Sequence, residues 1–258
     1  MAETTAIVDI VGLRKSFGSS EGKALQVLDQ FDLRVFSGEF LVILGPSGCG
    51  KSTLLNLICH QDQPDAGTIR FAEGINLNGR RDVTVVWQED ALMPWKTAAA
   101  NVEFPLLAKG VAEKERAAIV AHWLKLTGLE GFEGYYPSQL SQGMQKRVAI
   151  AAALAAQPRL VLMDEPFAAL DVNLKLQIQN ELVSLWEKLK FTVVMVTHDV
   201  QEAAALADRI VLLTNRPARV KLIRVNHLPR PRHLNVLYGD ATFHELVREL
   251  WNLLAKSE

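Results

Sequence analysis

A chain of 258 residues that is 49% hydrophobic can bury a large core, which excludes a disordered protein. Its 28 basic and 29 acidic residues leave a net charge of −1, so no global field recruits nucleic acid or anionic lipid. Two cysteines, Cys49 and Cys59, form no disulfide framework and suit a reducing compartment. The longest apolar run spans nine residues at 148–156, far below the ~18 that suggest a membrane span. The first ten residues lack a basic n-region, so the chain reads as neither secreted nor self-inserting.

Along the chain, short apolar runs bounded by Gly, Asp or Pro recur at 40–45 (FLVILG), 83–88 (VTVVWQ), 159–166 (RLVLMDEP), 191–199 (FTVVMVTHD) and 209–214 (RIVLLT). None alternates apolar with polar residues, which predicts strands buried on both faces in a mainly parallel sheet. Helical patterns lie between them. An amphipathic helix is predicted near 112–127 (Ile119, Val120, Trp123, Leu124), stopped by Gly128, and a second helix follows a Gly- and Tyr-rich connection. Residues 173–190 put Leu174, Ile178, Leu182, Leu185, Trp186 and Leu189 on one core-facing stripe. A basic, Pro-punctuated segment begins at 215. The last helix is marked by Thr242 and Glu245 at capping-box spacing and carries Leu246, Val247, Leu250, Trp251 and Leu254 on one face; it packs on its own core or serves as a regulatory arm. The fold class is α/β. The predicted division is a domain over 7–237, with its core at 7–89 and 158–215 and a helical subdomain at 90–157, and a C-terminal strand and amphipathic helix within 216–258.

After the strand at 40–44 stands GPSGCGKST, a G-x-x-x-x-G-K-S pattern formed by Gly45, Gly50, Lys51 and Ser52, with Pro46, Ser47, Gly48 and Cys49 inside the loop and Thr53 just beyond. Small residues let successive backbone N–H groups curl around phosphate oxygens, and the following helix start adds partial positive charge. Lys51 reaches the β and γ phosphates, and the Ser52 hydroxyl can ligate Mg2+. The pattern predicts a nucleoside triphosphate site. Cys49 has two readings: a thiol whose pKa is depressed by a cationic helix start, or a small residue that the loop tolerates.

RLVLMDEP delivers Asp164 and Glu165 at the end of a buried strand, where neighbouring side chains point to opposite sides. Asp164 is expected to hold Mg2+ through water, and Glu165 to position or deprotonate the water attacking the γ-phosphate. His198, in VTHD, ends the next strand at the edge where parallel α/β sheets bind ligands, and can hydrogen-bond a γ-phosphate oxygen. Gln88 closes VTVVWQ, and its amide can bind Mg2+ or the lytic water and swing with the loop that follows. That loop, ALMPW at 91–95, is unexpectedly apolar and suggests a docking surface.

LSQGM at 140–144 is a second helix start suited to an anion, with Ser141 as cap and the Gly143 N–H in the first turn. The chain has one phosphate loop, so this segment has no second nucleotide of its own. GPSGCGKST, Gln88, LSQGM, LVLMDEP, ALD at 169–171 and THD at 197–199, in that order, resemble the ATP-binding subunit of ABC transporters across nearly the whole chain. The resemblance implies a RecA-like P-loop NTPase core with a mainly parallel sheet, an N-terminal antiparallel β region and a helical lid subdomain. It implies a head-to-tail pair with a second copy, in which Ser141 and Gly143 close on the partner's ATP and Asp171 links the two sites. Phe17, in LRKSFG, matches the aromatic that stacks on adenine; its other reading is a strand-edge core residue.

ALMPWKT, PFAALD and the C-terminal LPRPRHLN narrow the resemblance to ATPases of nitrate, sulfonate and taurine importers. These hydrolyse ATP with Mg2+ on the cytoplasmic face of the inner membrane, with separate permease subunits and, indirectly, an external solute-binding protein. Gln142 and Ala152 depart from that pattern, which usually has glycine and often has arginine there. Two rivals remain at this stage. A soluble ABC-type clamp on DNA or ribosomes usually carries a coiled-coil insert or two cassettes in one chain, and this chain has one cassette and a compact insert. An ATP-responsive module without turnover is disfavoured by Glu165 and His198.

Overall fold

A computed structural model describes residues 5–18, 24–75, 82–89, 91–168 and 170–255. The elements in chain order are β1 (Ala6–Phe17), β2 (Leu25–Phe36), β3 (Phe40–Leu44), α1 (Lys51–Ile58), β4 (Ala66–Phe71), β5 (Val83–Val86), α2 (Ala98–Lys109), α3 (Glu113–Leu126), α4 (Gln142–Ala155), β6 (Leu160–Asp164), α5 (Val172–Leu189), β7 (Thr192–Thr197), α6 (Val200–Leu206), β8 (Arg209–Leu213), β9 (Val220–Val225), α7 (Leu234–Leu237) and α8 (Ala241–Ala255). Contacts group the chain into two units, residues 1–75 with 186–258, and residues 76–185.

In the first unit, β1 is the middle strand of an antiparallel sheet ordered β2-β1-β4, with Ile10 opposite both Leu33 and Ile69. Phe31, Leu33 and Val35 are buried while Asp32 and Arg34 are exposed, the period-two signature of a sheet with one wet face. The other sheet of this unit runs β7-β3-β8-β9. β3 is parallel to β7 and β8, and every residue of β3 and β7 is buried, so the unbroken apolar runs do mark central parallel strands. β9 closes this edge antiparallel to β8, with Ile210 opposite Arg224.

The basic segment after β9 is structural. Asn226 Nδ2 donates to the carbonyls of Ala204 and Ala207 at 2.8 Å each, and Arg232 Nη1 to those of Ala205 and Ala207 at 3.0 and 2.7 Å. Arg230 adds a bond to Leu206 O and stacks 4.4 Å over the Trp186 ring. These donors satisfy the last carbonyls of α6, which a helix cannot satisfy itself. The last helix departs from expectation at its start: Asp240 Oδ1 accepts the N–H of Thr242 at 2.7 Å and of Phe243 at 3.4 Å, so Asp240, and not Thr242, is the cap. Leu246 and Leu250 are buried, whereas Trp251 is 57% exposed, so the packed stripe of α8 is narrower than predicted.

In the second unit, β5 and β6 pair in parallel from Val83–Leu160 to Val86–Met163. α2, α3 and α4 pack on one another, with Val120, Trp123 and Leu124 buried as the periodicity requires. On α5, which runs from this unit into the first, Ile178, Leu182, Leu185 and Trp186 are buried but Leu189 is half exposed, so the stripe ends one turn early.

Candidate functional site

In the first unit, Leu44 of β3 lies opposite Thr197 of β7, and Gly45 N–H donates to Thr197 O at 3.4 Å. The phosphate loop and His198 therefore leave side by side from the carboxyl edge of two fully buried strands. Gly50 has φ 122°, and a Cβ there would lie 2.7 Å from Val27 Cγ1, so both backbone shape and space demand glycine. Lys51 is buried, and its ammonium donates to Gly45 O and Pro46 O at 3.0 Å each, holding the charge over the concave side of the loop. α1 starts at Gly50 with no side-chain cap and no acid in its first turn. Its leading N–H groups and dipole thus face the loop with no acid of the helix's own first turn among them, which fits a phosphate ligand. Ser52 is exposed in that turn and Thr53 half-buried.

His198 is exposed, in a turn pinned from both sides. The Thr197 hydroxyl donates to Glu202 Oε2 at 2.6 Å and accepts Asp199 N–H at 3.0 Å, while Asp199 Oδ1 caps α6 through Gln201 N–H at 2.8 Å. Phe17 ends β1 at 41% exposure, which is not the exposure of a core residue, and the Lys15 ammonium lies 5.1 Å from its ring centroid.

Cys49 follows the second of its two readings, a small residue that the loop tolerates, and not that of an acidified thiol. Its side chain is 2% exposed, and burial pushes the thiol above its ordinary pKa despite the lowering charges of Lys51 and Arg216. Arg216 was not singled out from sequence. Its guanidinium clasps the loop from outside, donating through Nε to Gly48 O at 3.1 Å and through Nη2 to the same oxygen.

In the second unit, the pairing of Val86 with Met163 brings the ends of β5 and β6 together, so exposed Gln88 and the Asp164–Glu165 pair share one carboxyl edge. Asp164 is the last residue of β6 and is 8% exposed. Glu165 has φ +42°, a left-handed conformation uncommon for a residue with a side chain. The simple alternation of strand neighbours therefore stops at Asp164, and the turn at Glu165 sets its direction instead. Asp164 offers a hard oxygen donor of the kind Mg2+ prefers.

Ser141 caps α4 as predicted, its Oγ accepting Met144 N–H at 3.3 Å, and it is exposed. Gly143 has a second reason to be glycine: a Cβ there would lie 2.5 Å from Leu174 Cδ1 on α5. Gln142 is exposed at the first position of the helix. Asp171 Oδ1 accepts the N–H groups of Asn173 and Leu174 at 3.1 and 3.0 Å and so caps α5; Ala169, the first residue of the ALD stretch, lies outside the described residues.

The loop after Gln88 is organised by Asn101, which sequence reading passed over. This residue is 4% exposed; its Oδ1 accepts Met93 N–H at 2.8 Å and its Nδ2 donates to Lys96 O and Thr97 O at 3.0 Å each. Beside it lies a cavity of about 140 Å3 lined by Val86, Trp87, Leu92, Phe104, Pro105 and Ala152. Trp95 nearby in sequence is 73% exposed.

The family model for ABC transporters matches residues 28–168. An uncharacterized ABC transporter ATP-binding protein of Methanocaldococcus jannaschii is 50% identical over 212 residues, 82% of this chain and 79% of that protein. The nitrate import ATP-binding protein NrtD of Synechocystis is 39% identical over 228 residues, 86% of this chain and 83% of that one. A dimeric ATP-binding cassette solved in a post-hydrolysis state with ADP and Pi aligns at TM-score 0.74 and 35% identity, covering 86% of this chain and 100% of that one. The α/β fold is thus that of a P-loop NTPase cassette. The chain belongs to the ATP-binding subunits of the ABC transporter family, which hydrolyse ATP with Mg2+.

Proposed function

We propose that this chain is the ATP-hydrolysing subunit of an importer, working as a pair of identical copies that sandwiches two ATP on the cytoplasmic face of the cell membrane. One observation carries the proposal: a single polypeptide holds one phosphate loop and, on a different element, an exposed, Ser141-capped helix start with no nucleotide of its own. The dimeric state of the similar cassette supports the pairing, and among the described residues no helix is long and apolar enough to cross a membrane.

In this reading the loop Gly45–Thr53 and Lys51 bind the phosphates, and Phe17 stacks on adenine. Glu165 orients the attacking water and accepts its proton, and His198 holds a γ-phosphate oxygen until that group departs. Ser52, Gln88 and Asp164 would hold Mg2+, which would neutralise charge developing on the phosphates. Ser141 and Gly143 supply the missing donors to the partner's ATP, and Asp171 links the two sites. The cavity beside Asn101, with exposed Trp95 and Phe104, receives a permease segment, so that opening and closing move the membrane subunits. The resemblance of NrtD and of the motif set supports a small solute of the nitrate, sulfonate or taurine kind, delivered by an external binding protein.

The test uses the purified chain. ATP–Mg2+ should double the mass of Glu165→Gln in light scattering, and Ser141→Arg in the same background should abolish the doubling. Full-speed hydrolysis by a preparation that stays monomeric with ATP would overturn the pairing.

A further inference from the structure

On α4, Gly143, Lys146, Ile150 and Ala153 share the buried face, and one of them is a lysine at 3% exposure. Its neighbour Arg147 pairs with Glu181 at 2.6 Å. The Lys146 ammonium points inward and donates to the carbonyls of Trp87 and Gln88 at 3.4 and 3.3 Å. A buried ammonium is costly to desolvate and is retained only where it is well hydrogen-bonded. Those two carbonyls belong to the chain leaving β5, the segment that carries Gln88 toward the loop at 91–95.

Ser141 caps the same helix five residues earlier, about 7.5 Å along the axis at ~1.5 Å per residue. A helix moves as a rigid element, so a shift of its first turn is also a shift of Lys146. We propose that Lys146 is a positioning residue that fastens the backbone at Gln88 to the helix bearing Ser141 and Gly143, so that engagement of that helix by a second copy's nucleotide sets the position of Gln88. This rests on the roles proposed above for Gln88, Ser141 and Gly143, and assigns the physical link between them. Backbone carbonyls accept these two bonds, so this part of the link needs a donor of long reach at position 146 and no particular side chain at 87.

The experiment uses the full chain with Lys146→Met, which keeps length and apolar stem while removing the donors, and Lys146→Arg, which keeps donors. Steady-state ATPase activity is measured against ATP concentration, with circular dichroism to verify the fold. Lys146→Met should leave KM for ATP within about twofold and lower kcat about 5- to 50-fold, the range of an ordinary coupling between sites. Lys146→Arg should recover most of kcat. In a Gln88→Ala background, Lys146→Met should add no further loss, because both changes break one path. Wild-type kcat in Lys146→Met, or losses that multiply in the double variant, would overturn the inference while leaving the roles of Gln88 and Ser141 standing. Wild-type kcat in Gln88→Ala would instead remove the reading on which the inference rests.

Discussion

The two units hold their functional residues by different means. In the unit of residues 1–75 and 186–258, the phosphate loop and the histidine turn grow from strands with no exposed residue, and their shape is set mostly by bonds within the same short segment: Gly50 at φ 122°, Cys49 N–H to Pro46 O at 3.3 Å, the Lys51 ammonium on Gly45 O and Pro46 O, the Asp199 carboxylate over the first turn of α6. In the unit of residues 76–185, β5 is only partly buried, and its outgoing loop is held by side chains reaching from helices, Asn101 from α2 and Lys146 from α4. A loop built mostly within its own segment needs no distant helix to keep its shape. A loop hung on two side chains moves with the helices that own them. The first arrangement suits capture of phosphate and the second suits motion.

The sharpest way to break this contrast is to separate chemistry from capture. Glu165→Gln should retain ATP binding while hydrolysis falls ~10²–10⁴-fold, since a positioned base contributes about that much. Lys51→Ala should do the reverse, weakening ATP binding about 10- to 100-fold, because hydrogen bonds to charged groups contribute ~1.5–3 kcal/mol. Isothermal titration beside a phosphate-release assay reads both. Equal loss of affinity in the two variants would mean that capture is not confined to the backbone-built loop.

How much of this was legible follows the same division. The parallel strands and the phosphate loop carry their information locally, in unbroken apolar runs and a nine-residue pattern, and they stand where the sequence puts them. FDLRV in β2 alternates cleanly, yet a search for unbroken runs passes over it, and the N-terminal sheet was expected only through resemblance. Contacts distant in sequence were invisible. Nothing near Gly143 announces Leu174, and nothing near Gly48 announces Arg216. Lys146 did leave a trace, a lysine on an apolar helical stripe, which is a signal for a buried partner. Near the C-terminus the Asp240 carboxylate accepts the Thr242 and Phe243 N–H groups, and the Thr242 hydroxyl donates to that same carboxylate instead of capping the helix itself.

Asn101 sharpens the contrast at smaller magnitude. Truncating it to alanine leaves the part-buried N–H of Met93 and the carbonyls of Lys96 and Thr97 without their amide partner, a loss of about 1–3 kcal/mol. Thermal unfolding should then fall by a few degrees, at ~2–4 °C per kcal/mol for a chain of this size, and limited proteolysis should open the chain at 91–96 first. A variant that melts with the wild type and is cut no faster there would show that the loop has another anchor.

The smallest effect concerns Cys49, on the captured side. Burial raises its pKa, so the neutral thiol is favoured and the reactive thiolate appears only at higher pH than for an ordinary cysteine. Alkylation of Cys49 by iodoacetamide, followed by mass spectrometry of the folded chain, should be slow near neutral pH and rise steadily as pH climbs past the ordinary cysteine range. Half-buried Cys59 should be modified first at neutral pH. If Cys49 instead reacts near neutrality as fast as it does in the denatured chain, Lys51 and Arg216 outweigh burial. The loop would then be open to solvent from within, which a loop packed by Gly50 against Val27 does not allow.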